Sequence, residues 1–269
     1  MSRRLRLGTA LVGALVVVAI FAPTLAPYDP IAQLDLMDGR NLPPSGAHPL
    51  GTDLYSRDLL SRVLHGARVS LTIATIAVVL SITLGTVVGL TAGLTGGWVD
   101  AALMRAVDAG LAIPRIFLLL AVLALWEGIS VLALVLVLGL TGWFGTSRLV
   151  RAEVQSVRGR DFIAAACAAG VGPLRLVLRH VLPNTAAPII VSATLGVGYV
   201  ILVEAGLSYL GMGVPPPLPS WGNIIRDGHP FLVLAPWISA AGGGAVVLTV
   251  MAFTVLGDGL QEWLDPRRA

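Results

Sequence analysis

The chain has 269 residues, of which 56% are hydrophobic and 12% charged, and its formal net charge is +3 at pH 7. This composition excludes an ordinary soluble globular domain and indicates an integral membrane protein. The basic residues are therefore first placed relative to the bilayer, and no nucleic-acid partner is expected from the positive charge.

Six windows are apolar enough to cross a hydrocarbon core about 30 Å thick, which requires roughly 20 residues per helix. In chain order they are approximately Leu7–Ala26, Val69–Leu94, Ala109–Trp126, Ile129–Ser147, Thr185–Ala205 and Phe231–Leu256. Arg105, Asp108 and Arg115 crowd the start of the third window, so we expect this helix to begin in the interface and to kink at Pro114. The sequence predicts an all-α protein with six transmembrane helices.

The first window resembles a secretory signal peptide, because arginines precede a hydrophobic run. Its small-x-small site, Thr24 to Ala26, is followed by Pro27, which disfavours cleavage. We therefore expect a retained transmembrane helix.

Arginine placement predicts the orientation, because positive charge accumulates in cytoplasmic loops. With the N-terminus inside, thirteen of the eighteen arginines face the cytoplasm, including Arg105, Arg115 and those between Arg148 and Arg179. The remaining five lie outside: Arg40, Arg57, Arg62, Arg68 and Arg226. Both termini are therefore predicted to be cytoplasmic.

The first external segment is proline-rich coil that ends in an amphipathic stretch. Apolar side chains recur there at helical spacing, opposite three charged residues (Tyr55, Leu59, Leu60, Val63 and Leu64 opposite Arg57, Asp58 and Arg62). The pattern predicts a short helix on the membrane surface, with a solvated connector as the alternative. It divides the chain into an N-terminal part, 1–68, and a five-helix core, 69–269.

The second window carries Gly85, Gly89 and Gly93 at four-residue intervals. Glycines on one face let a neighbouring backbone approach closely, so we expect this face to pack against another helix rather than lipid.

The second external connection contains consecutive prolines, including Pro215 and Pro216, and then Trp221. The prolines exclude regular helix, and the indole suits a membrane boundary. An ordered loop facing a transport path or docking partner and a rigid turn without function are both open interpretations.

No catalytic or metal-binding constellation is found in the predicted spans. Glu127 and Glu204 are the ionisable candidates for an ion-coupled carrier, but both are predicted at outer helix ends, within reach of water. No phosphate-binding loop of the form GxxxxGK[ST] is present, so ATP-driven transport would need a separate ATPase. A membrane scaffold without transport is a third possibility.

Residues 151–184 form a cytoplasmic segment between the fourth and fifth windows. Asp161 complements the start of a short helix that Phe162 to Ala169 continue, and Gly170 or Gly172 supplies the left-handed turn that ends it.

A second short helix begins at Pro173, with an apolar face that lasts until Pro183 breaks the pattern. Its apolar residues are Leu174, Val177, Leu178 and Val181. The alanine-rich first helix allows close approach and is suited to a groove on a partner protein, while a loop lying on the membrane is the alternative.

This segment resembles the EAA loop of binding-protein-dependent ABC importer permeases. Ala164-Ala165-Ala166, Gly170, His180 and Leu182-Pro183 occupy the motif positions at the same spacing. Ala164 replaces the motif glutamate and His180 replaces its isoleucine, so shape and the neighbouring Arg160 and Asp161 would hold the contact.

Further blocks are similar to the C-type permeases of the dipeptide, oligopeptide and nickel branch. HPLGTDLYSRDLLSRVLHGARVSL matches one such block, with Ser56 where that family usually has glycine. The others are GLTAGLTGGWVDAALMRAVDAGLAIP, SYLGMGVPPPLPSWGNII and LTVMAFTVLGDGLQEWLDPR.

The resemblance implies a type I importer permease in the bacterial inner membrane. It would pair with a second homologous permease, two ATP-binding subunits that hold ATP and Mg, and an extracytoplasmic solute-binding protein. The chain itself would bind no cofactor and would catalyse no reaction. Dipeptides or oligopeptides are the expected substrates, with nickel chelates or glutathione as alternatives. The implied ATPase contacts are Arg160, Asp161, Phe162, Ala164, Ala165, Ala166, Gly170, Leu182 and Pro183.

Overall fold

The computed structural model describes residues 2–125 and 128–264, and the regular structure of this part is helical. Its ten α-helices are α1 Arg3–Leu25, α2 Leu59–Thr95, α3 Gly97–Ala112, α4 Arg115–Ala124, α5 Val131–Arg158, α6 Asp161–Ala168, α7 Pro173–Leu176, α8 Leu182–Tyr209, α9 Trp221–Gly228 and α10 Pro236–Leu264. A π-helical turn, Val177–Val181, joins α7 to α8. A 3-10 turn, His229–Phe231, follows α9.

Five helical stretches are long and apolar enough to span a membrane: α1, α2, α5, α10 and the continuous stretch Pro173–Tyr209. The sixth candidate is the pair α3 and α4, whose axes are bent by 83°. Pro114 lies at this bend, where its ring and missing N–H prevent one helix from continuing into the next. The predicted kink is thus a complete break.

Helix directions show that the bent pair makes a crossing. α2 and α5 run parallel: an added Cβ at Gly85 would lie 2.5 Å from Thr146, and one at Gly93 would lie 2.8 Å from Val154. Because both helices run the same way, the chain between them must return to the starting side. The bent pair is therefore the sixth candidate span in the described part of the chain.

Both ends of the described chain lie on the same side of the bundle. α8 runs antiparallel to α2, since Ser70 donates to Glu204, and α10 runs antiparallel to α8. α1 is antiparallel to α10, with an ion pair of 2.9 Å between Arg4 and Glu262. We call this end of the bundle, which also carries α6, the α6 side, and the opposite end the α9 side.

The three-glycine face of α2 packs directly against α5. An added Cβ at Gly89 would lie 2.6 Å from the Ser147 carbonyl oxygen and 2.7 Å from Val150 Cβ. Gly85 and Gly93 make comparably close approaches. This contact brings the two backbones together over about two turns and fixes the centre of the bundle.

The predicted surface helix before the second span is wrong. α2 begins at Leu59, capped by Asp58, and continues without a break to Thr95, so the proposed division at residue 68 falls inside a helix. Arg57 and Arg62 are buried rather than facing water. Their charges are compensated by Asp53, which lies nearby in sequence, and by the distant Asp227, which helical periodicity does not reveal.

The predicted second short helix of the cytoplasmic segment is also wrong. Pro183 does not end it, because the chain continues from α7 through the π-turn into the transmembrane helix α8. Pro183 lies in the first turn of α8 and is accommodated there, since the wider turn before it removes the need for its N–H.

Candidate functional site

The short helix α6 lies at one end of the bundle and is held there by a single apolar side chain. Ile163 is 4% exposed and packs in a small cluster with Val150, Val154, Val157 and Val181. Asp161 occupies the first helical turn, where its charge complements the helix dipole. The cluster anchors α6 to α5 and to the start of α8.

The outward face of α6 consists of small side chains beside one aromatic ring. Ala164 and Ala165 are exposed, Ala166 is half-buried, and Phe162 is 39% exposed. Gly170 has φ +74° with open space around its α-carbon, so this glycine, rather than Gly172, makes the left-handed turn. A partner's backbone can approach such a face closely.

Apolar side chains continue this surface past the turn. Leu174 is 71% exposed and Leu178 is 57% exposed. Arg160, at the N-cap of α6, and Pro183, near the start of α8, line an adjoining groove of about 780 Å³ with the end of α10. Leu182 is half-buried beside Pro183. These residues form one apolar surface with a basic edge, which we call the α6 surface.

A second candidate site lies midway through the bundle. Two adjoining cavities of about 300 and 290 Å³ share Arg115, Gly142, Gly145 and Tyr199 in their walls. Arg115 belongs to the bent span and faces these cavities, so its assignment to a cytoplasmic loop was wrong. The sequence signal that could have located it is an arginine directly after the proline break in an apolar window.

Glu204 was expected near water, and this expectation is wrong. The side chain is fully buried, with Oε2 accepting from Ser70 Oγ at 3.1 Å and Oε1 from Ser208 Oγ at 2.6 Å. Ser208 in turn accepts from the Val214 amide at 3.1 Å. These bonds tie α2 and α8 to the connection before α9. Glu127, the other ionisable candidate, lies outside the described residues.

The connection between α8 and α10 is folded against the bundle. Trp221 is 1% exposed and its Nε1 donates to the Val63 carbonyl at 3.1 Å, so the indole packs inside the protein. Pro215 is half-buried and Pro216 is exposed on the α9 side. The indole fills space against Gly66 of α2 and fixes α9 in place.

A buried ionic cluster joins the start of α2 to α9. Asp53 Oδ2 accepts from Arg57 Nε at 2.7 Å, and Asp227 Oδ2 accepts from Arg57 at 3.0 Å and from Arg62 at 3.2 Å. Burial raises the pKa of Asp227 above its ordinary value, although both arginines act in the opposite sense. The cluster holds the α9 side together.

Among the described residues, no group of three His, Cys, Asp or Glu side chains could hold a metal ion. The notable features are instead the α6 surface at one end, the two adjoining cavities midway through the bundle and the buried ionic cluster at the α9 side.

Comparison with known proteins shows which family has this architecture. The model of the family "binding-protein-dependent transport system inner membrane component" matches residues 85–269, and that of the "N-terminal TM domain of oligopeptide transport permease C" matches residues 3–44. The chain belongs to this permease family. It is a multi-pass inner-membrane subunit of an ABC importer, whose ATP hydrolysis is performed by a partner ATPase.

Several curated bacterial proteins are similar over nearly the whole chain. A putative peptide permease protein of Brucella suis is 41% identical, covering 97% of this chain and 86% of its own length. A dipeptide transport system permease protein of Alkalihalophilus pseudofirmus is 38% identical, with coverages of 97% and 84%. A glutathione transport system permease protein of Shigella flexneri is 42% identical, with coverages of 94% and 83%.

A solved structure supports the fold. The inward-facing MetNI methionine ABC transporter contains a chain that matches with a TM-score of 0.63 at 18% identity, covering 77% of this permease and 98% of that chain. The permease thus has the type I importer architecture that its sequence blocks implied.

Proposed function

We propose that this permease forms half of the translocation pathway of an importer for dipeptides or oligopeptides. The names of its relatives support a peptide substrate, and the paired permease, two ATP-binding subunits and solute-binding protein are the partners that the family context suggests. Glutathione, itself a tripeptide, is the second candidate because a glutathione permease is 42% identical.

The α6 surface is proposed as the contact through which the ATPase drives transport. Its exposed alanines carry the proposal, because small side chains on a short anchored helix let a partner groove close around the backbone. Ala164 presents no charge at the position of the motif glutamate. Van der Waals contact is therefore expected to dominate, with Arg160 and Asp161 at the edge.

In this arrangement the α6 side faces the cytoplasm and the α9 side faces the binding protein. ATP-driven closure of the ATPases would push on α6, and the push would reach α5 and α8 through the Ile163 cluster. Pro216 and its neighbours would lie on the surface that the binding protein approaches.

The test is a steric change on α6 in the reconstituted complex. Ala165→Trp and Gly170→Val are expected to reduce ATP-coupled uptake of a labelled dipeptide at least about tenfold, equivalent to roughly 1.4 kcal/mol. Ala10→Trp is the matched control, because Ala10 is exposed on α1, which carries no proposed contact. Normal coupled uptake by both α6 variants would refute the coupling role.

Substrate class is tested separately, by identifying the ligand that co-purifies with the intact complex and its binding protein. A peptide supports the proposal, with glutathione selecting the second candidate. A non-peptide ligand would overturn the substrate assignment and leave the permease assignment unchanged.

A further inference from the structure

Arg115 is a cation placed at the middle of the membrane-spanning bundle. Its cavity is walled by central residues of three long helices, such as Ser81 of α2, Thr146 of α5 and Ser192 of α8. An arginine at this depth is energetically costly, and such residues are usually paired or functional. The partners of Arg115 therefore indicate its role.

The guanidinium of Arg115 is only partly satisfied by the described residues. Nη2 donates to the Leu138 carbonyl at 2.7 Å, and the ring of Tyr199 lies 5.3 Å from the guanidinium carbon. Nε is buried without a hydrogen-bond partner. No acidic side chain lines either adjoining cavity among the described residues. The positive charge therefore lacks a counter-ion within this part of the chain.

The surroundings are built to leave this cation accessible from the cavity. An added Cβ at Gly142 would lie 3.0 Å from Arg115 Nη2, so a larger residue there would crowd the guanidinium. Gly145 has open space at the same position. Ser81 and Ser192, whose hydroxyl groups can donate, also line the first cavity. Cation, hydroxyls and an aromatic ring together suit a carboxylate attached to a small organic group.

We propose that Arg115 is a carboxylate-recognition residue in the translocation pathway, binding the free carboxylate of the passing substrate. This inference rests on the proposed peptide function, since every unmodified peptide carries a C-terminal carboxylate. The cavity lies midway along the bundle, so we expect this contact to form while the substrate passes from one side to the other.

A structural role is the competing explanation, because the bond to Leu138 also pins the break at Pro114 to α5. Arg115→Lys keeps the charge and changes the hydrogen-bond geometry, whereas Arg115→Gln keeps a donor and removes the charge. Recognition of a carboxylate requires the charge, so lysine should restore function where glutamine does not. A structural pin would make the two variants equally defective.

The first experiment measures the electrostatic field and needs no substrate. The intact complex carries Cys167→Ser and Ser192→Cys. The rate of modification of the cysteine at position 192 is measured with an anionic and with a cationic methanethiosulfonate reagent. Adding Arg115→Gln is expected to lower the anionic-to-cationic rate ratio about tenfold, equivalent to about 1.4 kcal/mol. Arg105→Gln, on an exposed arginine that lines neither cavity, should leave the ratio unchanged. An unchanged ratio in Arg115→Gln, or no reaction at all, would overturn the proposal.

The second experiment compares uptake of a dipeptide with uptake of its C-terminal amide. Arg115→Gln should raise KM for the dipeptide about tenfold and leave KM for the amide unchanged, while Arg115→Lys restores the preference. Equal effects on both peptides would refute carboxylate recognition. Loss of assembly with the second permease would instead assign the arginine to a carboxylate of that partner. If the wild-type complex imports no peptide, the peptide function fails, and the reagent experiment still decides the charge effect.

Discussion

Glu204 shows how a single buried carboxylate can organise several elements. It lies where α2, α8 and the connection to α9 meet, and each of its oxygens accepts from a serine hydroxyl. A buried acceptor of this kind is costly to leave unpaired and equally costly to remove, because the donors around it then lose their partner. Its role in the fold is to hold these elements together.

Removing the carboxylate should destabilise the permease. Glu204→Ala leaves the buried hydroxyls of Ser70 and Ser208 without this acceptor, at an expected cost of about 1–3 kcal/mol in free energy of unfolding. Glu204→Gln retains an acceptor oxygen and should lose less. Thermal unfolding of the purified complex in detergent measures the order of stability of the three proteins. Equal midpoints for wild type and Glu204→Ala would contradict the prediction.

The sequence predicted side-chain environments well only where neighbours in sequence determine them. Gly170 was identified as one of two candidates for the left-handed turn, because backbone conformation is a local property. The burial of Trp221, Arg62 and Glu204 was not predicted, because each has a partner far away in sequence. Ser56 adopts φ +62°, the region glycine favours, which accounts for the glycine that the resembling permeases usually carry.

At the scale of helices, five predicted spans are present but longer than predicted, and the third is broken at Pro114. A window of apolar residues finds the part of a helix inside hydrocarbon, and it cannot register turns that continue beyond it into protein. α2 starts ten residues before its window because buried ion pairs compensate the charged side chains around its first turns. The helix after Pro173 extends for a different reason, because the π-turn accommodates Pro183.

The α2 and α5 contact makes a sharp prediction. Gly89→Ala places a methyl group against the Ser147 carbonyl and the Arg151 amide, backbone atoms that cannot rotate away, and overpacking of this kind costs about 1–3 kcal/mol. Gly13→Ala on α1 meets nothing within 4 Å and serves as the control. Thermal unfolding should separate the two variants. A stabilised Gly89→Ala would mean that the helices are farther apart.

At the scale of the whole molecule, the distribution of arginines predicted that both termini lie on one side of the membrane. The helix directions likewise bring both ends of the described chain to one side of the bundle. Which side this is can be tested with the native Cys167, the chain's single cysteine, which is exposed on α6. A membrane-impermeant maleimide should label it in inside-out vesicles stripped of peripheral subunits and fail to label it in right-side-out vesicles.

A matched control reverses the labelling pattern. Met37 is 89% exposed on the α9 side, so Met37→Cys in a Cys167→Ser background should be labelled only in right-side-out vesicles. If both cysteines react from the same side, the assignment of the two faces is wrong.

The close packing of α1 against α10 has a consequence for biosynthesis. Gly8 and Gly259 allow backbone contact between the two helices, with added Cβ atoms only 2.5 Å from Leu256 and Leu5. α1 is synthesised before α10, so it must remain in the bilayer without this partner until α10 is inserted. The contact between α1 and α10 can form only when α10 is inserted, and a nascent chain truncated before Pro236 should therefore keep this face of α1 exposed to quality-control proteases.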